Sequence, residues 1–199
     1  LRLELEAPSP PCAVLEPRGA MASSSSAPNI NTLRMLAATG DVHMQLALAE
    51  RLREASEFAE ARDLVERAAD AGHAVAQLTL GNWLARGECG IPQDLSRAVQ
   101  LYTRAAEQGH ALSQEHLALF YAKGMGVAQD KGRAVQWYTT AAERGSAVAQ
   151  YNLAICYFLG DGVAQNWGKA VHWFTKAAEQ GDARARIGLA KQALAPPSA

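Results

Sequence analysis

The sequence predicts an all-α fold, a solenoid of about four helical hairpins with capping helices at its ends. Three observations carry this. Ala-Ala-Asp-Ala-Gly, Ala-Ala-Glu-Gln-Gly, Ala-Ala-Glu-Arg-Gly and again Ala-Ala-Glu-Gln-Gly end at Gly72, Gly109, Gly145 and Gly181, at steps of 37, 36 and 36 residues. A period in this range is one supersecondary unit copied and stacked. Between these marks the apolar residues recur at three, four and seven residues, which is helix spacing. A glycine turn followed by Asp or Asn divides the later units, stopping one helix and capping the next.

The elements follow in order. Residues 1–29 contain Pro8, Pro10, Pro11 and Pro17 and show no period, and Met21 opens a Ser-rich stretch. We read 1–29 as a disordered or non-native segment, with residues 1–20 foreign to the native protein. Asn31 to Thr39 reads as a lone helix. The first unit, about 40–73, is divergent. Val42, Gln45, Leu48, Ala49 and Leu52 form its helix A, and Ala61, Leu64, Val65, Ala68 and Ala69 its helix B. Its turn, Glu54 to Phe58, has no glycine pair and resembles that of a plain tetratricopeptide hairpin.

Three regular units follow, about 74–110, 111–146 and 147–182. Their turns are Gly87-Glu88-Cys89-Gly90, Gly124-Met125-Gly126 and Gly160-Asp161-Gly162, the first longer by one residue. Asp94, Asp130 and Asn166 then cap the B helices. Small residues at Gly81, Ala118 and Ala154 let helix axes approach, and the rings of Tyr102, Tyr138 and Phe174 are expected to fill the gaps between hairpins. His73, His110, Ser146 and Asp182 share a column after the closing glycine, where capping of the next helix A is expected. Ala183 to Leu194 closes the array. Its Arg184, Arg186, Lys191 and Gln192 suit a solvated end, and Pro196 and Pro197 stop it. The whole repeat region is 30–195.

Composition narrows the function. Of 199 residues, 49% are apolar and 20% charged, with 19 basic against 20 acidic side chains and a net charge of −1. A nucleic-acid or anionic-membrane surface calls for a basic excess, so neither partner is expected. No run approaches the ~18 apolar residues of a spanning helix. Cys12, Cys89 and Cys156 are too few and scattered for a disulfide framework, which points to the cytoplasm.

The regular units resemble the Sel1-like repeat family. The run Lys169-Ala170-Val171-His172-Trp173-Phe174-Thr175-Lys176-Ala177-Ala178-Glu179-Gln180-Gly181 follows its pattern, as does Gly124-Met125-Gly126-Val127-Ala128-Gln129-Asp130. The resemblance covers about 74–194, and 40–73 more loosely. It implies a right-handed α-α superhelix that serves as an adaptor for protein complexes, in a family common in bacteria. Some members carry a disulfide in each repeat and a proposed β-lactam-directed activity. This chain lacks that cysteine pair, so the activity is not expected here.

Other chemistry finds little footing. The Gly-x-Gly turns lack the Lys-Ser/Thr of a phosphate loop, and no Ser-x-x-Lys or Gly-x-Ser-x-Gly occurs. His43, His73, His110, His116 and His172 form no His-Glu-x-x-His and no finger, so no metal or cofactor is expected. The tryptophans read as structural, with Trp167 the most exposed. The candidate site is a groove. By analogy with tetratricopeptide geometry, the A helices line the concave face. Leu78, Glu115 and Tyr151 form one column there and Asn82, Leu119 and Ile155 the next. Arg86 and Lys123 lie beyond them, with Phe158 and Leu159 in the last unit. We take Asn82, Arg86, Glu115, Leu119, Lys123, Tyr151, Ile155 and Phe158 as the groove, although packing of Tyr151, Ile155 and Phe158 within the core is an equal alternative. Such a surface fits a protein or peptide with an acidic group and an apolar anchor. The function expected is a non-enzymatic adaptor or scaffold, monomeric or weakly dimeric. The alternative is an accessory or targeting module of an enzyme, with an independent hydrolase less favoured.

Gly145 sits where the chain must turn out of helix B. A branched side chain there forces a left-handed backbone on a residue that resists it, so Gly145→Val is expected to cost more than ~1 kcal/mol. An unchanged urea midpoint contradicts this.

Overall fold

A computed structural model describes residues 28–194, and side chains as far as Ala190. The expectations for residues 1–27, for Pro196 and Pro197, and for the side chains of Lys191 and Gln192 lie outside the described residues. Among the described residues there are ten helices and no strand. They are α1 (Ile30–Ala37), α2 (Val42–Glu54), α3 (Phe58–Asp70), α4 (Ala74–Arg86), α5 (Leu95–Glu107), α6 (Ala111–Lys123), α7 (Lys131–Glu143), α8 (Ala147–Leu159), α9 (Trp167–Glu179) and α10 (Ala183–Leu194). Each helix packs chiefly against its neighbours in the chain, the contact pattern of a solenoid. The A helices are α2, α4, α6 and α8; the B helices are α3, α5, α7 and α9.

Caps set the helix starts. Asp94, Asp130 and Asn166 accept from the backbone N–H groups of Arg97, Arg133 and Lys169, each at 2.9 Å. Ser146 and Asp182 cap α8 and α10 by accepting from Ala149 and Ala185. Asn29, set aside with the lead-in, caps α1 through Thr32 at 2.8 Å. His73 and His110 occupy the same column but make no side-chain cap bond. This corrects the capping role expected of them. A ring nitrogen of His110 instead meets the Ser113 hydroxyl at 2.9 Å.

The rings of Tyr102 and Phe174 fill gaps between hairpins, as expected, and also pack within their own hairpins. A Cβ on Gly81 would lie 2.7 Å from the Tyr102 ring, so this glycine is what lets α4 and α5 close on each other. Tyr102 also meets His116 and Phe120 of the next helix A, with ring centroids 5.2 and 5.1 Å apart. Phe174 meets Tyr151 behind it and Gly188 ahead of it. Three buried clusters result, and half-buried aromatics join them. Tyr121 and Trp137 belong to the first two, Tyr157 and Trp173 to the second and third. No hairpin therefore owns a complete core. Trp167 is half-buried, its ring 4.9 Å from Phe158, and not the open residue expected.

The turns are built two ways. In the last two regular units the second glycine, Gly126 or Gly162, leaves room for the preceding B helix, while Gly90 of the first faces open space. A Cβ on Gly162 would lie 2.4 Å from the Lys131 carbonyl oxygen, and Lys131 pairs with Asp161 at 2.7 Å across the same joint. The first hairpin turns through Ala55, Ser56 and Glu57, with Ser56 at φ 65°. Its bonds, Ser56 N–H to Arg53 O and Glu57 N–H to Leu52 O, repeat those of Gly72 and His73 after α3. The short turn is thus the B-to-A link reused inside a hairpin.

A column of glutamines joins each unit to the one before. Gln77, Gln114 and Gln150 donate to the carbonyls of Ala69, Ala106 and Ala142 at 3.2, 3.1 and 3.1 Å, and Gln45 reaches that of Ala37 at 3.5 Å. Gln108 and Gln180 in turn donate to the side-chain oxygens of Gln77 and Gln150, at 2.9 and 2.7 Å. The middle joint differs. Arg144 stands in the column of Gln108 and Gln180, and its guanidinium bonds the Gly109 carbonyl instead. Gln114 is 1% exposed, and its buried Oε1 has no partner among the described residues.

An orphaned buried acceptor costs ~1–3 kcal/mol, more than an exposed bond to a carbonyl returns. Arg144→Gln restores the pattern of the outer joints and is expected to stabilise the protein by ~1 kcal/mol. A lower urea midpoint in that variant contradicts this accounting.

Candidate functional site

Helix periodicity places positions 2, 5, 9 and 13 of each A helix on one face. In α4 these are Val75, Leu78, Asn82 and Arg86, in α6 Leu112, Glu115, Leu119 and Lys123, and in α8 Val148, Tyr151, Ile155 and Leu159. Phe158 lies beside the last of these. The eight residues selected from sequence therefore share a helix face, but their surroundings differ.

Asn82 is half-buried, and its side-chain oxygen accepts from the Tyr102 hydroxyl at 2.8 Å, so it braces the hairpin. Arg86 pairs with Glu88 at 3.2 Å. Leu119 is half-buried, and Lys123 is exposed in the last turn of α6. Tyr151, Ile155 and Phe158 are half-buried against the cluster of Ala154, Ala170, Phe174 and Ala177. Each of these three contributes to the core while keeping one edge in water. The Arg184 guanidinium covers the Tyr151 ring at 4.5 Å, a cation–π contact.

Glu115 stands apart. Its Oε1 accepts from the hydroxyl of Ser146, the cap of α8. The column thus links successive A helices, since Tyr151 meets Arg184 in the same way one unit on. Burial holds the Glu115 carboxyl above its ordinary range, while the Ser146 hydroxyl and the nearby His116 pull it back.

Three exposed residues of this face, Val75, Leu112 and Ile187, were not named for the groove from sequence, and a fourth, Leu159, was named only beside Phe158. Val75, Leu112, Leu159 and Ile187 are 43, 48, 49 and 57% exposed. They fall at positions 2, 2, 13 and 5 of their helices, so the repeat register held the signal. What periodicity lacks is the neighbour that leaves each of them uncovered.

Among the described residues no group of three His, Cys, Asp or Glu side chains could hold a metal ion. Burial pushes the Cys89 thiol up and that of Cys156 up to about 11, which keeps both protonated and poorly nucleophilic near neutrality. Among the described residues no helix is long and apolar enough to cross a membrane.

A model of the Sel1 repeat matches residues 57–73, 74–110, 111–146 and 147–182. Among solved structures, c5321, a protective antigen of uropathogenic Escherichia coli displaying an SLR fold, is 35% identical with a TM-score of 0.79. The match covers 83% of this chain but only 36% of that one. A Sel1 repeat protein from Oxalobacter formigenes is 29% identical with a TM-score of 0.74, over 82% of this chain and 68% of its own. Helicobacter pylori cysteine-rich protein B shares the fold, at 23% identity and a TM-score of 0.52 over 67% of this chain and 94% of that one. No curated protein matches.

Because the native Glu115 pKa is raised, the folded state holds this proton more tightly than the unfolded chain. Its contribution to stability is therefore present at low pH and lost as pH rises through the native pKa. An NMR titration is expected to place Glu115 above the ~4.3 of a free glutamate. Ser146→Ala, which removes the bond favouring the anion, moves it higher still. A midpoint below that of free glutamate contradicts the assignment.

Proposed function

Because the chain belongs to the Sel1 repeat family, we propose that it acts as a non-enzymatic adaptor or scaffold, holding a protein or peptide partner on the shared face of its A helices. The observation that supports this is the register of four of the eight uncovered large apolar side chains among the described residues. Val75, Leu112, Leu159 and Ile187 lie on one face of successive helices, while Leu80, Leu117 and Leu153, at a common position on the other side, are buried. Apolar surface repeated on one face of helix after helix forms a strip that gains free energy when covered. Asn82, Arg86, Glu115, Leu119, Lys123, Tyr151, Ile155 and Phe158 supply the polar and half-apolar frame. A helical array suits this role because its stiffness is settled before binding, which lowers the ordering cost.

The cytoplasm is the compartment we propose, since the two described thiols are free and a reducing environment keeps them so. One observation favours a second reading, an accessory or targeting module of an enzyme. The E. coli antigen is almost three times as long as its match to this chain, so an array of this length can sit within a larger protein.

Affinity capture with the full chain tests the reading beside the variant Leu112→Asp/Leu159→Asp. Both leucines are about half exposed, so helicity is expected to stay unchanged while captured proteins are lost. Identical capture by both forms contradicts the proposed face. A captured enzyme whose activity changes on binding favours the second reading.

A further inference from the structure

The face proposed above carries an uneven charge. Helices α4, α6 and α8 contain one acidic residue between them, Glu115, and two cations of fixed charge, Arg86 and Lys123. Arg86 already has Glu88. Glu115 has a hydroxyl on Oε1, pairs with no cation among the described residues, and is half-buried, with part of its side chain open to solvent. Lys123 makes no ion pair among the described residues. Half-buried Leu119 lies between the two, and exposed Leu112 lies beyond Glu115.

Along α6 the order is therefore Leu112, Glu115, Leu119, Lys123. Glu115, Leu119 and Lys123 are each four residues apart, which is ~6 Å per step along a helix. An extended chain presents alternate side chains on one face at ~6.6 Å per step. The two ladders match over three positions. Covering Glu115 without a counter-charge would strand a carboxylate that is already partly desolvated, and such a charge is costly. The same holds in weaker form for Lys123. A partner that lies on this face must bring a cation to one end of the stripe and a carboxylate to the other.

We propose that α6 reads an extended partner segment of the form basic–x–apolar–x–acidic, in either chain direction. Lys or Arg sits on Glu115, an apolar side chain on Leu119 and Ile155, and Asp or Glu on Lys123. This rests on the scaffold reading and makes it specific, replacing a general acidic anchor with a charge pair of fixed spacing. Electrostatics of this kind select among partners more than they add affinity.

The probe is a displayed library of random twelve-residue peptides, selected against the full chain. Enriched peptides are expected to carry opposite charges four residues apart with an apolar residue midway. Synthetic copies are then measured by fluorescence anisotropy against the native chain, Glu115→Gln and Lys123→Gln, each checked by circular dichroism. Each variant is expected to weaken binding at least fivefold. Replacing the peptide's basic residue by Gln should weaken binding to the native chain but not further to Glu115→Gln, since the partner of that charge is then gone. Enriched peptides without the spacing, with charges seven or eight apart, or without this coupling overturn the inference and leave the scaffold reading standing. A library that yields no binder removes both.

Discussion

The joint between units is the constraint on which the rest depends. One glutamine side chain in each A helix leaves its own helix and donates to a carbonyl near the end of the preceding B helix. Gln77, Gln114 and Gln150 do this within 0.1 Å of a common length. An amide that bonds a carbonyl at the end of another helix fixes distance and rotation together. Apolar contact alone does not, because the hydrophobic effect has no direction. Alanines on both sides, such as Ala105, Ala106 and Ala149, then allow the close approach the bond needs.

Once the joint is fixed, the remaining features follow. Tyr102 and Phe174 are held at a set height, so each can touch small residues in its own hairpin or the next. Gly126 and Gly162 meet the preceding B helix, and the Lys131–Asp161 pair forms across the second of these joints. With their B-facing sides buried, the A helices leave part of one face in water, at Val75, Leu112 and Leu159 among others, while Leu78 on the same face is buried. Stacking and the proposed binding surface are two sides of the same helices. A change at a joint therefore alters the spacing of the opposite face.

Much of this architecture is legible in the sequence because its signals are local. Asp94, Asp130 and Asn166 announce helix starts by a bond that spans three residues, and the glycine marks announce the stops. His73 and His110 mislead because they share the column of true caps while their rings cannot make the same bond to the backbone. Trp167 misleads because only the folded turn brings Phe158 against it. The glutamine column is visible as a repeat, yet a buried glutamine looks like a surface one until its acceptor, eight residues back, comes into place. The candidate site is legible as columns and illegible as exposure. Periodicity assigns Tyr151, Ile155 and Phe158 to the face, but the next unit decides how much of each remains open.

The glutamine joint is tested most directly by the unfolding free energies of Gln77→Ala, Gln114→Ala and Gln150→Ala, measured by urea denaturation on the full chain. Each side chain is buried and bonded across a joint, so each substitution is predicted to cost ~1–3 kcal/mol. Gln114 should cost least, since its oxygen already lacks a partner. Losses below ~0.5 kcal/mol at all three sites, the scale of ordinary surface changes, would show that the units are not held by this column.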